Sequence, residues 1–397
     1  MAESDAAVVF SGRRIAALTG TRALAVLLVL ATHAAFATGS LLDGYIGAMY
    51  ARLDVGVSMF FVLSGFLLCR PWVYAAATRS QAPSIAHYAG RRVRRIVPAY
   101  VVTVLLAYAV YLLMSAGANP GQSWTGLAHH LTFTQIYPPD YLSTNLHLGL
   151  SQTWSLAVEV AFYAVLPLLA HLMIVLPCRS RWRPRRTLAA VSVLGAVSPL
   201  WLIAMTTTDR LPNSAGMWLP AHLIYFAGGV ALAVLASENV RCPSRIAVPV
   251  GLVAFLTVSS PIAGGVMMGD VQWWQPSAKN VLYAVVTILV VAPLALGGGG
   301  LFERLMASRP MVWLGEISYE VFLLHVLVMA ILYDVVLRWP PFSGSLAVLF
   351  ALTLVCSVPS AWLLHRLTGP EPRWQRTGRP PTRDVGVSGR SVPLQPR

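Results

Sequence analysis

Long apolar runs separated by short polar segments dominate this chain from end to end. A run of about 18 or more apolar residues is long enough to cross the hydrocarbon core of a membrane as a helix. The pattern therefore predicts an all-α, polytopic integral membrane protein with about ten transmembrane helices. The predicted spans are 16–37, 54–72, 96–115, 152–177, 187–206, 218–236, 246–263, 280–297, 311–333 and 344–365.

The distribution of basic residues predicts the orientation of these spans. With the N-terminus placed in the cytoplasm, 24 Lys and Arg residues fall in inside segments and four fall in outside loops. This asymmetry follows the positive-inside rule, and an odd number of spans would scramble it. We therefore expect both termini in the cytoplasm and the whole chain in the cytoplasmic membrane as a multi-pass protein.

The spans divide the chain into three parts. Residues 1–15 form a cytoplasmic N-terminal segment, and residues 16–367 form the transmembrane domain. Residues 368–397 are rich in Pro, Arg and Gly, and we expect a disordered cytoplasmic tail. The longest outside loop, 116–151, contains no Lys or Arg, and loops of this length are often functional. We expect no cleavable signal peptide, because the first apolar run lacks a small-residue cleavage site.

Composition agrees with a membrane protein and argues against nucleic-acid binding. The chain is 56% hydrophobic and 11% charged, whereas soluble domains carry about 25% charged residues. Its net charge of +14 comes mainly from arginines at the predicted cytoplasmic ends of spans, so it reflects topology. The four cysteines form no CxxC pair and no metal-like spacing, so we expect no metal site.

Two ionisable residues lie on one face of the first predicted span. Arg22 and His33 are separated by eleven positions, which places them about 20° apart around a helix and roughly 16 Å apart along it. Ionisable groups inside a membrane usually face an interior cavity and mark function. The alternative is that Arg22 reaches the inner headgroups and His33 hydrogen-bonds a neighbouring helix.

The second and fourth spans add further candidates. Glu159 is the only acid in the fourth span, and a buried cation such as His33 or Arg22 is its expected partner. A carboxylate beside an imidazole orients the ring, although the pair could also be purely structural. Ser64 and Gly65 would allow a ligand to approach the second span, or they could serve helix packing.

Polar residues in the third and ninth spans complete the set. Arg92 and Arg95 lie in an arginine cluster at the predicted inner mouth of the third span. Arginines there could hold phosphates or could be ordinary topology charges. In the ninth span His325 lies near the middle, with Tyr319 about two turns nearer the inside. A lone membrane histidine is often only a donor that bridges two helices.

Five motifs occur in a fixed order between about residues 15 and 335. They are Arg22 and His33 with ten residues between them, Phe60-Phe-x-x-Ser-Gly-Phe66, Arg91-Arg-x-x-Arg95 with Pro98, Trp154-Ser-Leu-x-x-Glu159 with Phe162-Tyr163, and Gly315-x-Ile-Ser-Tyr319 with His325. In these motifs and in its span count the chain resembles the membrane-bound acyltransferase family 3, a group of integral-membrane O-acyltransferases.

Three features depart from the family pattern. The family often has Asp-Gly directly before the arginine, where this chain has Thr19-Gly20-Thr21. Phe322 stands where the family often shows Tyr. We expect no esterase-like domain after the last span, although some members carry one.

The resemblance implies transfer of an acyl group, commonly acetyl, from acyl-CoA to a hydroxyl of a carbohydrate or a glycosylated acceptor. It implies acyl-CoA as co-substrate with no tightly bound cofactor. His33 would act as general base or would first accept the acyl group, with Glu159 orienting it and Arg22 stabilising donor charge. The remaining residues expected to contact substrate are Arg92, Arg95, Ser64, Gly65, Trp154, Ser155, Tyr319 and His325.

Two other classes of protein remain open from the residues alone. A transporter or flippase would also have many spans and buried charges, but it predicts paired broken helices and inverted halves, which the sequence does not display. A membrane scaffold or sensor would not require the alignment of Arg22 with His33. The expected partners are the acyl-CoA donor, the acceptor and membrane lipid, with no nucleic acid.

Overall fold

A computed structural model describes residues 12–114, 119–178, 181–208, 210–266 and 272–369. The predicted disordered tail lies almost entirely outside these ranges, as do most of residues 1–15. Within the described ranges the chain forms helices and turns with no strand, which confirms the all-α prediction.

Ten main helices follow one another along the chain. They are α1 (Gly12–Ala37), α2 (Val55–Thr78), α3 (Ile85–Leu113), α4 (Trp154–Ala170), α5 (Pro184–Thr207), α6 (Leu219–Ser237), α7 (Ser244–Val258), α8 (Gln275–Leu296), α9 (Ser318–Ala330) and α10 (Leu346–Thr368). A π-helical turn extends α4 over His171–Val175, and another extends α9 over Ile331–Leu337.

Short helices and turns join the main helices. The α-helical ones are Gly44–Ala51, Trp124–Leu131, Tyr141–Thr144, Leu176–Cys178, Gly300–Met306 and Arg309–Glu316. The 3-10 turns are Ser40–Leu42, Arg52–Asp54, Leu148–Thr153, Asn213–Met217 and Pro261–Ala263.

Nine of the helices in the described part of the chain are long and apolar enough to cross a membrane. The exception is α7, which corresponds to the predicted span 246–263 but contains 15 residues and ends at Val258. Fifteen residues rise about 22 Å, less than the roughly 30 Å of a bilayer core. The helix stops early because a 3-10 turn begins at Pro261 and Gly264 follows with a positive φ of 81°.

Two other predicted boundaries differ from the structure. The predicted span 311–333 is two helices, because the chain breaks at Ile317 between Arg309–Glu316 and α9. The third helix begins at Ile85 and not near residue 96, since Ser84 caps it by accepting a hydrogen bond from the backbone N–H of His87. The arginine cluster therefore lies inside α3.

Helices α2 and α6 form the centre of the bundle. The membrane-spanning windows that contain them are 67% buried, against 22% for α5 and for α10, which lie at the periphery. Small residues let their backbones meet: a Cβ on Gly65 would lie 2.3 Å from the carbonyl oxygen of Phe226, and one on Gly229 would lie 2.1 Å from that of Val62. The Phe226 ring stacks on Phe162 of α4, with centroids 3.8 Å apart.

The first turns of several even-numbered helices meet at one end of the bundle. Lys279 near the start of α8 forms an ion pair at 3.2 Å with Asp54, which directly precedes α2. Beside it, the Asn280 amide donates to the carbonyl of Ala221 at the start of α6, at 3.0 Å. The arginines of α3 belong to an odd-numbered helix and lie near its beginning, so they approach the opposite end.

Candidate active site

A cavity of about 90 Å³ lies among α1, α2, α3, α4 and α9. We call it the central cavity. Seven of the eleven residues singled out in the sequence line it: Arg22, Ser64, Arg92, Arg95, Ser155, Glu159 and Tyr319. Five helices that are distant in sequence thus bring polar side chains together inside an apolar bundle, which is the arrangement expected of a functional site in a membrane protein.

The central cavity carries an excess of positive charge. Arg22, Arg92 and Arg95 make no hydrogen bond or ion pair with any described residue, and the Nε atom of Arg92 is fully buried without a partner. The single carboxylate in the lining belongs to Glu159. Three guanidinium groups against one carboxylate leave unmatched donors and charge, which suits an anionic ligand.

Glu159 has partners other than the one predicted for it. Its carboxylate accepts hydrogen bonds from the hydroxyls of Ser64 on α2 and Tyr163 one turn along α4. The expected hydrogen bond to His33 is not among the contacts of the described residues. The two side chains therefore have separate partners in the structure, because α4 presents the carboxylate to α2 and the ring of His33 lies against α9.

His33 pairs with a second histidine. Its Nδ1 lies 2.8 Å from the carbonyl oxygen of Val29 and 3.2 Å from Nε2 of His325. His325 Nδ1 lies 2.8 Å from the carbonyl oxygen of Phe322. Carbonyl oxygens only accept, so both rings are assigned a proton on Nδ1. The Nε2 lone pair of His33 has no partner among the described residues, so it is available to take a proton.

The other predicted residues have diverse surroundings. The Tyr319 hydroxyl donates to the carbonyl of Ile96 at 2.9 Å, and the Ser155 hydroxyl donates to the carbonyl of Gln152 at 3.1 Å. Gly65 lies against α6 and outside the central cavity, so packing explains it. Trp154 lines a second cavity, which lies on the other side of Val57 and Phe61. His33 and His325 line neither of the two cavities.

Two residues of the cavities were not predicted from the sequence as site residues. Tyr163 appeared only as part of a motif, although it follows Glu159 by four positions and therefore shares its helix face. His222 lies in α6, and neither of its ring nitrogens has a partner in the described structure. The rule that selected His33, an ionisable group within a span, would have selected His222 as well.

The fold and the site define a class of protein: a multi-pass membrane bundle that encloses a cationic cavity beside a buried histidine pair. The family model described as "Acyltransferase domain" matches residues 15–366. The chain belongs to this family, as the five sequence motifs predicted, and it is a membrane O-acyltransferase.

Several characterised acyltransferases are similar to the chain. Acyltransferase MdmB of Streptomyces mycarofaciens is 27% identical over 330 residues, which cover 79% of each protein. Peptidoglycan O-acetyltransferase OatA of Listeria monocytogenes is 25% identical over 80% of this chain, and O-acetyltransferase OatA of Staphylococcus aureus is 21% identical over 80%. The chain spans about half the length of each OatA protein, 49% and 51% respectively. No solved structure matches the chain.

Proposed function

We propose that this O-acyltransferase moves an acyl group, acetyl in the simplest case, from acyl-CoA to a hydroxyl of a carbohydrate or glycosylated acceptor. The observation that supports this most directly is the set of three unpaired arginines in the central cavity. We place the protein in the cytoplasmic membrane with both termini inside, as the distribution of basic residues suggests.

The donor assignment rests on charge and position. Acyl-CoA carries several phosphate charges at one end and a neutral thioester at the end of a flexible arm. Arg95 is exposed at its position near the start of α3, whereas Arg22 lies deeper in the bundle. Arg92 and Arg95 would bind phosphate, and the arm would extend past Ser64 and Tyr319 towards the middle of the membrane.

In the proposed reaction, His33 is the general base. Its Nε2 accepts the proton of the acceptor hydroxyl while the hydroxyl oxygen attacks the thioester carbonyl carbon. The new ester C–O bond forms, the C–S bond breaks, and the sulfur leaves and is protonated to give CoA thiol. Arg22, about 16 Å of helix rise from His33, binds negative charge of the donor in the central cavity. His325 replaces Glu159 as the group that positions His33.

The acceptor class rests on the relatives. One similar protein is named a peptidoglycan O-acetyltransferase, and peptidoglycan is a carbohydrate polymer. Family membership argues against the transporter or flippase alternative and against the scaffold alternative. We carry over only the chemical class, a sugar hydroxyl, and not the particular polymer.

The test is single-turnover release of CoA thiol by the purified protein in detergent with acetyl-CoA and a methyl glycoside as acceptor. We expect the wild-type protein to release thiol and the His33→Ala variant to release at least about a hundredfold less, since a general base contributes roughly 10²–10⁴-fold. His171→Ala, which changes an exposed histidine at the end of α4, is the matched control and should behave like wild type. Absence of thiol release from wild type would reject acyl-CoA as the donor.

A further inference from the structure

A second cavity, of about 270 Å³, lies at the end of the bundle where α2, α6 and α8 begin. We call it the His222 cavity. Its lining includes the polar and aromatic side chains of Asp54, Trp154, His222, Lys279 and Asn280. Of these, only Trp154 was predicted from the sequence to contact substrate.

Polar groups in this cavity lack partners. Both ring nitrogens of His222 are buried, and neither meets strict hydrogen-bond geometry with a described residue, although the backbone of Gly216 lies within reach of the ring. The Asn280 side-chain oxygen is also buried without a partner. The Asn280 amide nitrogen is fully used, because it donates to the Ala221 carbonyl and to the Tyr225 hydroxyl at 2.9 Å. These bonds fix the amide and leave its oxygen without a partner. Buried polar atoms without partners are rare, and here His222 and Asn280 both supply them.

The side chains that line the His222 cavity favour a neutral ligand. Lys279 and Asp54 neutralise each other in an ion pair at 3.2 Å, so the His222 cavity has no unmatched formal charge like that of the three arginines. The indole of Trp154 lies beside the His222 ring, with centroids 5.3 Å apart. An aromatic ring next to both hydrogen-bond donors and acceptors suits a molecule with an apolar face and hydroxyl edges, which is the character of a neutral sugar.

The two cavities share a wall. Val57 and Phe61 of α2 line both of them. On α4, Trp154 lines one cavity and the next residue, Ser155, lines the other. The arginines of α3 approach the central cavity from the opposite end of the bundle, so two ligands could enter from opposite ends and meet at this wall.

The proposed base lies near this wall. Val29, whose carbonyl holds the His33 ring, packs beside Gly56 at the start of α2, next to Val57. His33 is also within electrostatic range of Asp54, which lines the His222 cavity.

We propose that the His222 cavity is the acceptor site of the acyltransferase and that it binds a neutral sugar, with His222 and Asn280 hydrogen-bonding its hydroxyls. This inference rests on the proposed function, because the acyl group would be transferred to the sugar across the shared wall. The binding of sugar itself does not require that any acyl group be transferred.

Binding is tested with four probes, the methyl β-glycosides of glucose, galactose, mannose and N-acetylglucosamine. The full-length protein in detergent is heated with increasing glycoside and without acetyl-CoA, and the unfolding temperature is followed. We expect at least one glycoside to stabilise the wild-type protein. His222→Phe and Asn280→Leu should raise the half-saturating concentration about fivefold to tenfold, as expected when one hydrogen bond is lost.

Two further variants keep the result interpretable. His171→Phe, an exposed histidine outside both cavities, should leave glycoside binding as in wild type. His222→Gln keeps a hydrogen-bonding group and should bind better than His222→Phe, which separates a lost contact from a misfolded protein.

Each outcome bears on one proposal. The acceptor site is overturned if none of the four glycosides stabilises the protein, or if the His222 and Asn280 variants bind as tightly as wild type. If glycoside binds as expected but acetyl-CoA releases no thiol, the proposed function fails while the sugar site stands.

Discussion

Glu159 is the one carboxylate among three arginines in the lining of the central cavity, and two hydroxyls hold it in place. Both hydroxyls donate to the same carboxylate oxygen, so an amide in its place could accept both hydrogen bonds but would lose the charge. The residue thus fixes two side chains and offsets part of the local positive charge. We therefore propose that it organises the cavity and does not hold His33.

Glu159→Gln should lower kcat at least about tenfold without raising the donor KM. The three arginines remain, so phosphate binding persists, but the hydroxyls and Arg22 lose the charge that organises them. Initial rates at saturating and limiting acetyl-CoA separate the two constants. Tyr163→Phe, which removes only one hydrogen bond, should be less damaging. A Glu159→Gln enzyme with normal kcat would leave the carboxylate with a packing role alone.

His325 should act as a positioning residue for His33. Its Nε2 lies 3.2 Å from His33 Nδ1 and accepts from it, which helps to keep the proton off the opposite nitrogen. His325→Phe removes the acceptor and should lower kcat about tenfold or more with little change in acetyl-CoA KM. His325→Gln supplies an oxygen near the same point and should recover part of the activity. Equal rates for the Phe and Gln variants would contradict a positioning role.

At the scale of elements, the segment 119–153 is a folded cap over one end of the bundle. The Tyr100 hydroxyl of α3 donates to the His130 carbonyl at 2.9 Å, and the Gln152 amide donates to the Leu323 carbonyl of α9 at 2.7 Å. The sequence predicted a long loop at 116–151 that is often functional. The structure shows that much of it packs against α3 and α9, the helices that position Arg92, Arg95 and His325.

Two buried histidines in this cap should make its stability depend on pH. Burial lowers the pKa of His147 to about 3 and that of His130 to about 4. His147 Nδ1 accepts from the Gly149 backbone N–H at 3.2 Å, so its Nε2–H donates to Gln122 at 2.7 Å, and a second proton would disrupt this arrangement. Both rings are therefore neutral when folded.

In the unfolded chain these histidines bind a proton below about pH 6.5, whereas in the folded protein they do so only below their lowered pKa values. Between these two pH limits the unfolded chain therefore binds more protons than the folded protein. Stability should be fully present above about pH 6.5 and should fall as the pH drops towards 4. The measurement is the unfolding temperature of the detergent-solubilised protein from pH 7.5 to 4.5. His147→Gln keeps the donor to Gln122 but cannot titrate, so it should flatten this dependence. An unchanged slope in that variant would exclude His147 as a source.

At the scale of the whole molecule, the two cavities provide separate routes to a shared wall formed by Val57 and Phe61. Under the two proposals, a charged donor and a neutral acceptor would bind from opposite ends without competing for one entrance. This arrangement would also explain why the arginines belong to an odd-numbered helix, whereas the Asp54–Lys279 pair lies where even-numbered helices begin.

Arg92→Ala combined with Arg95→Ala should raise the donor KM at least about tenfold and lower kcat less. Each charge-assisted phosphate contact contributes on the order of 1–3 kcal/mol, and about 1.4 kcal/mol corresponds to a tenfold change in affinity. Arg91→Ala with Arg94→Ala is the matched control, because both of those residues are exposed and neither lines the central cavity.

The readout is donor saturation kinetics of purified, correctly inserted protein. Insertion should survive in both double variants, since 24 basic residues are predicted inside against four outside. Equal KM values for the two double variants would leave Arg92 and Arg95 as topology charges.

The sequence by itself determined the all-α membrane class, nearly all of the helices, the family and most of the polar residues that line the central cavity. Span length, charge placement and helix periodicity are local properties, so they can be read along the chain. The early end of α7 at Val258 and the break at Ile317 were missed, because turns within apolar sequence leave its hydropathy high.

Only the tertiary structure decided which polar groups meet. Arg22 and His33 share a helix face, yet Arg22 lines the central cavity and His33 joins His325, because about 16 Å of rise places them against different neighbours. Glu159 accepts hydrogen bonds from Ser64 and Tyr163, and Gly65 packs against the α6 backbone. Such pairings depend on how each helix is rotated and on which distant helix lies beside it, and neither is a local property of the sequence.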